Sequence, residues 1–263
     1  MGFWDTIKKG AKSVADDARG AVEDTAKTVK DTAEDVADDV RDGVEKVVDD
    51  VTDAVSPIKR GTDGDDTIKA YLPYNEIYGR GGDDELEGWG AENVVDGGRG
   101  DDSIAVHGAT NTARGGDGDD DIASHGIGDN WLYGGDGDDR IEGWAAFNVM
   151  RGDAGNDILL GHAGRNEVAG GAGNDRLEGW GASNKLEGGA GNDTIKGHGA
   201  HNDLFGDGGH DRLDALGGVN VAHGGAGNDT LRGFGGSNVM HGGRGHDRLD
   251  AVGGYNEMHG DGG

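Results

Sequence analysis

The chain has no cysteine, so it takes no stability from disulfides, and cysteine usage says nothing of its compartment. It has two prolines, and aromatics make up only 5% of it. No apolar run approaches the ~20 residues of a membrane-spanning helix, and no cleavable N-terminal signal is visible. Basic side chains are scarce: 24 Lys and Arg stand against 52 Asp and Glu, a formal charge of −28. Nucleic-acid binding wants a basic stripe, so that class is excluded. The sequence holds no HExxH helix, GxSxG elbow, Walker loop or cysteine nucleophile, and the chain reads as non-enzymatic.

What it has is glycine, 57 residues of it, arranged with a period. A phrase such as GGAGNDTIK at Gly188 or GGDGDDRIE at Gly134 returns every eighteen residues, with starts from Gly61 to Gly242. Only the unit opening at Gly115 is longer, by one residue, which suggests a turn bulge near Ile127 to Tyr133. A fixed period of this size means a solenoid. Position six of the phrase is always aspartate: Asp66, Asp84, Asp102, Asp120, Asp139, Asp157, Asp175, Asp193, Asp211, Asp229 and Asp247. Position eight is always Ile or Leu, with mixed and mostly polar flanks, as in Arg140–Ile141–Glu142. That alternation fits a short, half-buried strand.

The phrase resembles the RTX, or hemolysin-type, calcium-binding nonapeptide G-G-x-G-x-D-x-U-x. The resemblance covers 61–263 and implies a parallel β-roll of eleven coils, two nonapeptides to a coil. It also implies that the eleven aspartates are calcium ligands. Calcium is a hard cation that takes six to eight oxygens from carboxylates and carbonyls. If each ion needs two neighbouring turns, as in the family, one row holds about ten ions.

The second half of each unit departs from the family pattern. GWGASNKLE at Gly179 and GHGAHNDLF at Gly197 place Asn at position six, from Asn75 through Asn256. Asparagine brings no charge, so this edge is expected to carry an Asn ladder that satisfies turn groups. Weak ion binding there is the alternative. A bulky column runs along the same edge: Tyr71, Trp89, His107, His125, Trp144, His162, Trp180, His198, Leu216, Phe234 and Val252. Packing over the turns is its expected role; a strip for a sugar, a polymer or another roll is the other reading. A second His column, His223, His241 and His259, lies one coil apart, near enough to share a transition metal. No acidic partner for it is evident in the sequence.

Charge ties these readings together. Residues 61–263 carry fourteen basic against thirty-seven acidic side chains, a net −23, and 1–60 carry ten against fifteen. About ten Ca2+ would add about +20 and leave the roll nearly neutral. Folding is then coupled to metal, and the ion-free repeats are expected to be largely disordered. Low-affinity oxygen sites fill at the millimolar calcium found outside cells, so an extracellular or cell-surface location is expected. The resemblance adds a bacterial source and type I secretion, although no C-terminal export signal is visible after EMHGDGG.

Residues 1–56 differ in character. Small apolar residues recur in steps of three and four, with an eleven-residue repeat at Ala11, Val22, Ala33, Val44 and Val55. The spacing predicts an amphipathic α-helical segment, ended by Pro57, with 57–60 as linker. Capping of the roll, self-association, and contact with a membrane or lipid surface through Phe3, Trp4 and Ile7 are its three candidate roles.

The reading is a secreted structural or assembly protein that folds on calcium and associates with itself, head-to-tail or through the helix. An accessory module of a larger secreted enzyme or toxin, and a lipid- or surface-associated stress protein, are the alternatives.

Overall fold

Glycine pairs and strand triplets alternating at a fixed period wind the chain into stacked coils. A computed structural model describes residues 56–262 apart from 163, together with Lys27, Lys30, Val40, Arg41, Gly43 and Val44. The chain divides into two units, Met1–Ser56 and Pro57–Gly263. The amphipathic helix expected over 1–56 lies outside the described residues except at those six positions, which are helical, and at Ser56, which is not.

The second unit is all-β, a parallel β-solenoid of about eleven coils. Its strands are β1 (Ile58–Arg60), β2 (Thr67–Ala70), β3 (Tyr74–Tyr78), β4 (Glu85–Trp89), β5 (Glu92–Arg99), β6 (Ser103–Asp117), β7 (Asp121–Asp136), β8 (Arg140–Trp144) and β9 (Phe147–Ala154). They continue as β10 (Ile158–His162), β11 (Arg165–Ala172), β12 (Arg176–Trp180), β13 (Ser183–Ala190), β14 (Thr194–Gly208), β15 (Arg212–Ala226), β16 (Thr230–Arg244) and β17 (Arg248–His259). Every pairing is parallel and joins residue i to i+18, as in Leu177 with Ile195, except across the one long unit, where the step is nineteen, as in Ile122 with Ile141. The stretch 57–60, expected as a linker, is instead the start of the roll: β1 pairs with β3 through Lys59 and Ile77. A strand of three residues has too little pattern to be read from sequence.

The long unit is absorbed between β6 and β7. Gly108 pairs with Gly126, but Thr110 pairs with Asp129, so two residues oppose Ala109. This is a bulge, and its Ile127 stands 85% exposed.

The core is thin and columnar. Leu86, Ile104, Ile122, Ile141, Leu159 and Leu177 form one buried column; Ile77, Val95, Leu132, Met150 and Leu186 form the facing one. Burying each such side chain contributes roughly 1.5–3 kcal/mol. Between the columns the coils touch through backbone, and this explains the glycines. Gly191 has φ +134, and a Cβ there would collide with the Gly173 carbonyl of the preceding coil. From the second phrase on, position two also takes positive φ; where it is not glycine there it is Arg80, Asp153 or Asp207, at φ 88, 77 and 69. Aspartate reaches this region more readily than most residues.

Candidate metal centre

Each turn of the phrase turns its position-six carboxylate inward. Its Oδ1 accepts the backbone N–H of the aspartate one coil earlier: Asp66 to Asp84, Asp102 to Asp120, Asp157 to Asp175 and Asp211 to Asp229, all at 2.8–2.9 Å. The column is thus held by its own backbone. The second oxygen has no such partner. Oδ2 of Asp84, Asp102, Asp120, Asp139, Asp157, Asp175, Asp193, Asp211, Asp229 and Asp247 is buried and makes no hydrogen bond. Asp66 is different: its Oδ2 accepts from the backbone N–H and hydroxyl of Thr62, at 2.6 and 2.9 Å. Of the eleven predicted ligands, ten therefore present a free oxygen, and the first is capped.

A row of buried, unpartnered carboxylate oxygens is costly unless neutralised. Burial is the main cause that pushes the protonation of nine of them upward, with neighbouring carboxylates adding to it. Asp102, Asp157, Asp175 and Asp193 rise to about 6, and Asp120, Asp139 and Asp211 to about 7. Asp84 and Asp229 move the same way. A cation beside Oδ2 would reverse the shift, since an opposite charge favours the ionised form.

The donors fit a hard cation. The first glycine of each phrase leaves open the space beside Oδ2; a Cβ at Gly97 would collide with Asp102 Oδ2 and with the Gly115 carbonyl oxygen. Both walls are oxygen. Among the described residues no three carboxylate or imidazole side chains converge on one point. A cation here would complete its shell from turn carbonyls, as calcium does.

Sequence reasoning missed a second ladder on this edge. The position-five side chain accepts the backbone N–H of the following coil, the opposite direction to position six. Asp83 donates to Asp65, Asp119 to Asp101, Asn174 to Asn156 and His246 to Asn228, at 2.7–3.0 Å. The signal was present, since Asp or Asn fills position five in nine of the eleven phrases.

The opposite edge is satisfied from within. Each Asn Nδ2 donates to the next Asn Oδ1, from Asn75–Asn93 to Asn238–Asn256, at 2.7–3.1 Å. Amides also donate to backbone, as Asn93 to the His107 carbonyl at 3.2 Å. The expected Asn ladder is present, and its oxygens are engaged. The bulky column beside it packs upon itself: Trp89 on His107, Trp144 on His162 and Trp180 on His198, with centroids 3.8–4.0 Å apart. Those indoles remain 43–47% exposed.

Stacked turns with a buried aspartate column define a calcium-type parallel β-roll. The family model of the RTX calcium-binding nonapeptide repeat (4 copies) matches residues 75–104, 126–150, 145–177, 179–213 and 214–249. The chain belongs to this family, whose repeats bind calcium. No curated protein and no solved structure shows significant similarity to it.

Proposed function

We propose that this chain is a non-catalytic, secreted structural unit whose roll folds as calcium fills one row of about ten sites. The observation that carries this reading is the column of ten buried carboxylate oxygens without a partner. Asp84, Asp102, Asp120, Asp139, Asp157, Asp175, Asp193, Asp211, Asp229 and Asp247 are the side-chain ligands, and each ion between turns draws on two of them. Asp66, already held by Thr62, is the weakest member. Turn carbonyls supply the remaining oxygens. The bound ions neutralise the column, and the roll becomes a stiff spacer or surface outside a bacterial cell, where millimolar calcium keeps it folded. Self-association, through the coil ends or the N-terminal segment, makes it an assembly unit.

Circular dichroism with light scattering during a calcium titration, with magnesium as control, tests this. The expected result is a β signal that appears only with calcium, with scattering rising beside it. A β signal without scattering removes the assembly role. A roll already folded in chelator at neutral pH overturns the calcium role.

A further inference from the structure

A second row of side chains stands on the last coils, each one residue before a glycine at the position that opens an aspartate phrase. His223, His241 and His259 share one register position on β15, β16 and β17. Their rings stack with centroids 4.9 and 4.8 Å apart and planes within 6° of parallel. Phe205 continues the stack one coil earlier, at 5.1 Å from His223. Carboxylates meet this column at the ring edges. Asp261 Oδ2 lies 3.7 Å from His241 Nδ1, and Glu257 Oε1 lies 2.9 Å from His259 Nε2. Asp203, Asp207 and Asp261 all act on His223, opposing the burial and the His241 charge that push its imidazole down. Asp207 and Asp261 stand where the two coils between them carry Gly225 and Gly243. Acidic groups thus bracket the column.

We propose that His223, His241, His259 and Asp261 form a site for one first-row transition cation, Zn2+ or a chemical neighbour, separate from the calcium row. The donor chemistry separates the two. Imidazole with carboxylate is a set that zinc and its neighbours take, whereas calcium takes oxygen alone. Zinc holds nitrogen and oxygen at about 2.0–2.2 Å, so two ligand atoms in a tetrahedral shell lie roughly 3.3 Å apart. His241 Nδ1 and Asp261 Oδ2, at 3.7 Å, are already close to that spacing. Neighbouring imidazoles, a full coil apart, are not, and among the described residues no three such groups converge. Closing the site therefore takes a tilt of a flanking ring toward His241. The His241 and His259 side chains are 35% and 45% exposed, so solvent leaves room for that tilt while strand register holds the backbone. His241, the middle ring, is the one member with an imidazole on both sides.

The test uses the full, tag-free chain in saturating calcium, so that the aspartate edge is already filled. Co2+ is titrated and followed by its visible absorption, and Zn2+ binding is measured by calorimetry. The expected result is one tight ion per chain, with the intense bands of tetrahedral cobalt. His241→Ala should weaken it by at least ~10-fold, because even indirect partners of a metal commonly matter by ~10–100-fold. His198→Ala, on the other edge, should leave it unchanged. Circular dichroism of each variant checks that the roll is intact. No saturable cobalt or zinc site, or a site that persists in His241→Ala, overturns the proposal.

Discussion

The two edges of the roll solve the same problem in opposite ways. Each must stack a buried polar side chain on its copy one coil away. Asparagine carries both a donor and an acceptor, so its column closes on itself, Nδ2 to Oδ1, without outside help. Ionised aspartate carries only acceptors. One oxygen takes the neighbouring N–H and the other is left with nothing. The lesson is that one oxygen-for-nitrogen exchange per coil separates a self-sufficient edge from one that needs a cation. The same fold thereby carries a permanent seam and a conditional one.

The largest expected effect comes from removing calcium. At pH 8 chelation should melt the Asp edge and with it most of the β signal, because a solenoid coil cannot keep one edge alone. Acid should partly substitute for the ion. Without calcium Asp102, Asp157, Asp175 and Asp193 titrate at about 6, and Asp120, Asp139 and Asp211 at about 7, in the fold, against roughly 3.9 in the unfolded chain. The folded state then holds more protons in that window, so stability is fully present below about pH 4 and is lost as pH rises through 6–7. Ion-free protein should show more β signal at pH 5 than at pH 8. A flat or inverted profile would contradict the role given to Oδ2.

A matched pair of substitutions sharpens the contrast. Asp175→Ala removes an acceptor for the Asp157 N–H and a carboxylate from the column. Asn184→Ala removes the acceptor of one Asn166 Nδ2 hydrogen and the donor to Asn202 Oδ1. Each orphaned buried group costs roughly 1–3 kcal/mol. Denaturant unfolding at several calcium concentrations should tell them apart. The Asp175 variant should lose calcium sensitivity along with stability. The Asn184 variant should lose stability while its calcium dependence stays as in the parent chain.

The smallest effect is expected within the Asp edge itself. The first five phrases carry Asp at position five, from Asp65 to Asp138, and the later ones Asn or His. Asn156 donates to Asp138 as Asn174 donates to Asn156, so Asp138→Asn keeps the ladder. It should change stability in calcium by no more than ~0.5 kcal/mol. A larger loss in calcium melts would show that position five also carries ions.

Much of this was legible because a fixed period converts sequence position into a spatial column. Asp84 through Asp247, the paired Asn column and the bulge after Gly126 all follow from counting to eighteen. What counting cannot supply is the direction a side chain takes within its turn. That is why the opposed position-five ladder was missed, and why the orphaned Oδ2 emerges only from the coordinates. Thr62 in place of a glycine was visible, but its bond to Asp66 was not. Asp261 approaches His241 because a coil returns the chain to the same face, twenty residues on.

The most direct measurement of the central claim is calcium stoichiometry by equilibrium dialysis at neutral pH. The account predicts about ten ions per chain, one row between successive aspartate turns. About twenty ions would mean that the Asn edge binds as well, and near zero would mean that the buried carboxylates are kept neutral by protons alone.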